Sequence, residues 1–178
     1  MVFVRLGDPQ INLFASHINV KLPLFCALRA GQGEMVVDVL SFSWRNVFGY
    51  AFPPTVLVAK VLDKLIKDQA TLVLIAPAWP DRPWYSTLLH SLVEVPLRLP
   101  QRQDLLSQAG QYHQDPGFFK LTAWKVSGRT SEIKAFQRGL SKLQRRLEDP
   151  LHGLLTRPTG SSSSVGAVNG ISIPLQFL

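Results

Sequence analysis

Few side chains in this sequence have types and spacings that could do chemistry. Gly-x-Ser-x-Gly, Gly-x-x-x-x-Gly-Lys-Ser/Thr and His or Cys pairs at metal-ligand spacing are all missing, so there is no signature of an acyl-transfer nucleophile, a phosphate loop or a zinc site. His17, His90, His113 and His152 are scattered and read as surface or loop residues. Cys26, the single cysteine, lies between Phe25 and Ala27 and reads as a buried structural thiol; alone it can make neither an internal disulfide nor a zinc site. Two features remain. One is Phe52-Pro53-Pro54-Thr55, at the junction of an expected strand and an expected helix. The other is the segment from Lys125 to Asp149, where seven basic residues face three acidic ones, so that four of the seven net positive charges fall in one stretch. Such a concentration suits a polyanion, and nucleic acid is the expected partner; the alternative is an ordinary solvated helix face.

The elements that position these residues follow from apolar patterning. Ile11 to Ala15 reads as a first strand, and Leu24 to Leu28 is too short to divide between strand and helix. Val47 to Phe52 reads as a strand that Pro53-Pro54 must end, because proline cannot donate to a ladder. From Thr55, Leu57, Val58, Val61, Leu62, Leu65 and Ile66 make one helical face, with Lys60, Asp63, Lys64, Lys67 and Asp68 opposite. Thr71 to Ala76 is apolar without alternation, as in a central strand covered on both sides. Strand, helix and strand make a βαβ unit with parallel strands. Its loop, Pro77 to Pro83, leaves the edge where open α/β sheets bind ligands. Trp84 to Val93 has helical spacing; Val95 to Leu99 and Lys120 to Val126 read as strands, with loop from Gln101 to Phe118.

Beyond Ser127, Ile133, Phe136, Leu140, Leu143 and Leu147 recur at intervals of three and four. They predict an amphipathic helix from Thr130 to Leu147 whose cations Lys134, Arg138, Lys142 and Arg145 face outward. The tract Gly160 to Ser164 reads as flexible linker, and Ile171 to Leu178 is apolar enough to dock at a place the sequence does not specify. The expected organisation is an α/β domain over 1–126, a basic amphipathic helix over 127–148 and a flexible tail over 149–178. No apolar run approaches the roughly 20 residues of a membrane span, and Met1 to Arg5 lacks the h-region of a signal peptide. The expectation is an intracellular protein, nuclear or cytoplasmic, without membrane or metal partners.

Five segments in order carry a resemblance: Asn12-Leu13-Phe14-Ala15-Ser16-His17-Ile18-Asn19; Asp38-Val39-Leu40 with Trp44; Tyr50-Ala51-Phe52-Pro53-Pro54; Ala76-Pro77-Ala78-Trp79-Pro80; and Pro83-Trp84-Tyr85. Together, over roughly residues 7–145, the chain resembles the segment that follows the RNase H domain in polyproteins of DIRS-type and related tyrosine-recombinase retrotransposons. That segment is in turn similar to phage-type DNA adenine methyltransferases. The resemblance implies a Rossmann-like, mainly parallel sheet and, for an active member, S-adenosylmethionine as cofactor, with Asn12 and Asp38 as the cofactor-binding positions. It makes Phe52-Pro53-Pro54-Thr55 the counterpart of the Asn/Asp-Pro-Pro-aromatic tetrapeptide. There the polar side chain and first proline carbonyl accept hydrogen bonds from the target amine, and the aromatic ring stacks on the flipped base. Trp84 would lie near the same site.

Three positions depart from those patterns. Asn12 stands where the family has Asp, Phe52 where methyltransferases have Asn or Asp, and Thr55 where an aromatic is expected. Phe52 can accept no hydrogen bond from an amine, so the departures imply a degenerate domain that uses no cofactor. The chain also lacks the Tyr-x-Asp-Asp of a polymerase, the four carboxylates of an RNase H and the Arg/His/Tyr set of a recombinase. Three readings follow: a non-catalytic nucleic-acid-binding domain of a retrotransposon polyprotein, an active S-adenosylmethionine-dependent adenine methyltransferase, and a non-functional remnant.

Overall fold

The computed structural model describes residues 2–15, 22–27, 38–100, 120–148 and 163–178. In chain order the elements are helix α1 (Val2–Leu6), strands β1 (Ile11–Ala15), β2 (Phe25–Ala27) and β3 (Phe48–Ala51), and a 3-10 turn (Thr55–Leu57) that runs into α2 (Val58–Asp68). Then come β4 (Thr71–Pro77), α3 (Trp84–His90), β5 (Leu97–Arg98), β6 (Leu121–Ser127), α4 (Thr130–Glu148), β7 (Ser164–Val168), β8 (Ile171–Pro174) and β9 (Gln176–Phe177). Seven of the strands form one sheet in the order β2-β1-β3-β4-β6-β5-β9, while β7 and β8 pair separately.

The expected βαβ unit is present: β3 and β4 pair in parallel from Phe48↔Thr71 to Ala51↔Leu74, joined through α2. β4 is interior, with β6 on its other side, and Leu72, Val73, Leu74 and Ala76 are fully buried. Both sheet faces are covered, which is why this strand reads as an unbroken apolar run. On one face Leu72, Leu74 and Ala76 join Val58, Val61, Leu62 and Leu65 of α2 and the ring of Trp124. On the other, Val73 and Ile75 join Leu97, Leu121 and Leu6, so α1, a helix that the sequence patterning did not predict, caps this second cluster. Burying an aliphatic side chain of this size contributes roughly 1.5–3 kcal/mol, so the two clusters fix the register of β4. Both buried indoles are satisfied: Trp44 Nε1 donates to Val39 O at 2.9 Å and Trp124 Nε1 to Ala76 O at 3.0 Å.

The sheet is mostly parallel with one exception. β6 runs antiparallel between β4 and β5, in register with β4 from Thr71↔Ser127 to Pro77↔Leu121. Leu24 to Leu28, ambiguous by pattern, contains the edge strand β2, parallel to β1. The predicted loop from Gln101 to Phe118 lies outside the described residues.

The expectation of a flexible tail over 149–178 needs correction at its far end. Residues 149–162 lie outside the described residues, but β7 and β8 form an antiparallel hairpin that buries Val165, Val168 and Ile173 in the main core, and β9 extends the sheet beside β5. The hairpin turn is Asn169-Gly170, with φ of 52° and 77°, the backbone that two-residue turns require and that Asn and Gly adopt at least cost. For the same reason the basic helix α4 is not the C-terminal element: three strands follow it.

Candidate functional site

β1, β2, β3 and β4 are mutually parallel, so their carboxyl ends at Ala15, Ala27, Ala51 and Pro77 share one edge. β2 lies on one side of β1, and β3 and β4 lie on the other. The crevice between β1 and β3 is therefore a topological switch point, the place where open α/β sheets receive ligands. Phe52-Pro53-Pro54-Thr55 leaves β3 at this crevice. The two prolines end the strand, Pro54 turns the chain with φ −51° and ψ 141°, and Leu57 N donates to Pro54 O at 2.9 Å to close the first turn of the helix. Pro53 is buried, Pro54 exposed and Thr55 half-buried. The Phe52 ring is half-buried against the cluster of Val73, Ile75 and Leu97, so this position offers the crevice a hydrocarbon already engaged with the core. Trp84 begins α3 after the loop from β4 and lies half-buried at the same edge.

Neither of the two expected cofactor positions brings a free acceptor to the tetrapeptide. Asn12 is 1% exposed and sits inside the sheet, in register with Phe25 on one side and Tyr50 on the other. Its Oδ1 accepts from Phe14 N at 3.3 Å, whereas Nδ2 has no partner among the described residues. Because a backbone N–H can only donate, this bond fixes which amide atom is oxygen and leaves a donor free. Asp38 is exposed and holds a turn: its Oδ1 accepts from Leu40 N at 2.9 Å and its carbonyl from Ser41 N and Oγ. This turn leads to Trp44, whose N donates to Asp68 Oδ2 at 2.7 Å at the end of α2. Asp38 is thus tied to the amino edge of β3 and β4, the edge opposite Phe52-Pro53-Pro54-Thr55.

Lys134, Arg138, Lys142 and Arg145 are all exposed on α4. Their spacing of four, four and three residues keeps them on one side of the helix, opposite half-buried Phe136 and buried Leu140. The apolar stripe is less complete than expected: Leu143 is 49% exposed, and the side chain of Leu147 lies outside the described residues.

Sequence reasoning did not find the polar network at the start of α4. Arg129 donates from Nε to Gln69 O at 3.1 Å, from one terminal nitrogen to Glu132 Oε1 at 3.2 Å and from the other to Asn46 Oδ1 at 3.3 Å. Thr71 Oγ1 donates to Glu132 Oε2 at 3.3 Å. Burial pushes the Glu132 carboxyl up, but the hydrogen bonds from Ser127, Arg129 and Thr71 and the Arg129 charge outweigh it and hold the group below the usual range. These residues come from the ends of α2, β4 and β6 and the first turn of α4, so only the topology brings them together. Burial alone raises the Tyr50 hydroxyl to about 12. It also raises that of Tyr85 to about 12 against a small opposing effect of Arg98, leaving both phenols neutral donors at physiological pH.

Among the described residues no three His, Cys, Asp or Glu side chains group as a metal site, and no helix is long and apolar enough to cross a membrane. The chain matches no protein-family model and no curated protein.

Proposed function

We propose that this chain is a methyltransferase-like domain of a retrotransposon polyprotein, built on a Rossmann-like sheet, that has lost methyl transfer and contacts nucleic acid through α4. The observation that carries the reading is the Pro-Pro tetrapeptide at the carboxyl end of β3, beside the β1/β3 crevice, with Phe52 in place of the polar residue. A phenyl ring packed against Val73 and Ile75 accepts nothing from an exocyclic amine. The residues do not fit S-adenosylmethionine either. The ammonium of that molecule can only donate, and Asn12 has no acceptor left for it: its oxygen is taken by Phe14 N and its free amide nitrogen is itself a donor, where an Asp would offer a second oxygen. Asp38, at the far edge, does not replace it.

Nucleic-acid contact rests on the exposed row Lys134, Arg138, Lys142 and Arg145, which can meet phosphates without reading bases. Such binding is on the order of micromolar or weaker at physiological salt and falls as salt rises. Two measurements test the proposal. Titration calorimetry with S-adenosylmethionine and transfer of label from it to DNA should both give no signal, and turnover by the unmodified chain would overturn the loss of catalysis. Changing the four cations to Glu should abolish DNA binding with little change in thermal stability, since exposed charges contribute about 0–1 kcal/mol each. Equal DNA affinity before and after would remove α4 as the contact surface.

A further inference from the structure

At the amino edge of the sheet, away from Phe52-Pro53-Pro54-Thr55, a cleft of about 510 Å³ opens between the start of β3, the end of β6 and the first turns of α4. That volume lies within the roughly 300–1,000 Å³ usual for small-molecule sites. Its walls include the half-buried rings of Phe48 and Phe136, and its polar groups are Lys125, Arg129, Glu132 and Thr71.

The charges there are unevenly matched. Arg129 spends its Nε and both terminal nitrogens on Gln69, Glu132 and Asn46, and both oxygens of Glu132 are taken by Arg129 and Thr71. This pair is internally neutral and held in place from four elements. Lys125 is left over. The residue is half-buried, and its ammonium stands 5.6 Å from the centroid of the Phe48 ring with no ion-pair or hydrogen-bond partner among the described residues. An ammonium carries three donors, and a ring face satisfies the charge only in part. A cation without a countercharge, set over the Phe48 ring in a cleft that Phe136 also lines, suits an anionic group attached to a flat apolar body.

We infer that this cleft is a binding site for a small ligand that carries an anionic group on a planar ring, the anion paired with Lys125 and the ring set against Phe48 and Phe136. The chemistry is shared by nucleotides and aromatic carboxylates. The inference does not rest on the function proposed above, because the outward cations of α4 and the tetrapeptide take no part in it.

Calorimetric titration of the full chain with two pairs of probes tests it: adenosine 5′-monophosphate against adenosine, and 2-naphthoate against 2-naphthamide. The charged member of at least one pair should bind about tenfold or more tightly than its neutral partner, the scale of one charge-assisted hydrogen bond. The pair that responds identifies the source of the anion. Lys125→Met should erase the difference. Ala135→Trp, which fills the cleft from α4, should abolish binding even if the first variant folds poorly, with folding of each checked by circular dichroism. Equal binding within both pairs, no binding of any probe at millimolar concentration, or undiminished binding to folded Ala135→Trp would overturn the inference.

Discussion

Gly128 is where the turn into α4 presses against the end of α2, and replacing it with alanine should be among the most damaging single-methyl changes in the chain. A Cβ there would stand 2.2 Å from Leu65 O, 2.9 Å from Leu65 C and 3.0 Å from Gln69 Cα. All three are backbone atoms in the closing turn of α2, so no rotamer change can relieve the contact. Either that turn or the link from Ser127 to Arg129 must move by about an ångström, and overpacking of this kind costs roughly 1–3 kcal/mol, occasionally more. The same movement stretches Gly128 N to Ala70 O, now 2.9 Å, and a lost hydrogen bond adds about 1 kcal/mol. Gly128→Ala should therefore lose about 2–4 kcal/mol, which at roughly 2–4 °C per kcal/mol lowers Tm by on the order of 10 °C. Gly139 supplies the control. It lies mid-helix with nothing within 4 Å of its would-be Cβ, so Gly139→Ala should gain about 1 kcal/mol from helix propensity. Urea unfolding of the two variants beside the unmodified chain reads both signs. A Gly128→Ala protein within about 0.5 kcal/mol of the original would refute the close approach of α2 and the 127–129 link.

Deleting residues 163–178 removes Val165, Val168 and Ile173 from the core and takes from Tyr85 Oη its acceptor, Val165 O at 2.8 Å. The loss should be on the order of 5 kcal/mol, and an unchanged urea midpoint would show that the hairpin is dispensable. The Lys64 ammonium, at 2.8 Å, and Trp44 N hold the Asp68 carboxyl below its ordinary value of 3.8. Because the folded state has the lower pKa, the stabilisation is complete above that value and disappears as pH falls through the depressed one. Asp68→Asn should flatten the acid limb of urea midpoints measured between about pH 2 and 5. Cys26 is fully buried and burial raises its thiol pKa, so a disulfide reagent should label it only on unfolding; labelling as fast as a free thiol in the folded state would contradict its placement.

The elements legible in the sequence are those whose burial is decided locally. The stripe from Val58 to Leu65 announces α2, and the run from Thr71 to Ala76 announces a strand buried on both faces. The prolines at 53 and 54 mark the strand-to-helix junction because a missing N–H acts within one residue. What the patterning did not yield depends on partners. Lys120 to Val126 reads as a strand, but nothing in it says that it runs antiparallel between β4 and β5. β2 has only three residues, too few for any period. The hairpin of β7 and β8 does carry a local signal, Asn169-Gly170 between apolar alternations, which the neighbouring Gly/Ser tract hides in a reading by composition. The cleft was out of reach, since Phe48, Lys125 and Phe136 belong to three elements distant in sequence and meet only when β3, β6 and α4 converge.

The interposed β6 also orders events in time. β4 and β5 run in the same direction but never touch, since the strand between them comes from residues 121–127, later in the chain than both. During synthesis, α2 and β1 to β4 can assemble early, as a short-range nucleus, while β5 waits with neither neighbour. Its inner edge is filled when β6 emerges and its outer edge only when residues 176–177 arrive as β9. Closing such long loops is slow, so refolding should be limited by this half of the sheet, and the free edge of β4, seven residues that stay unpaired until β6 emerges, is the place where a nascent chain is most exposed to aggregation.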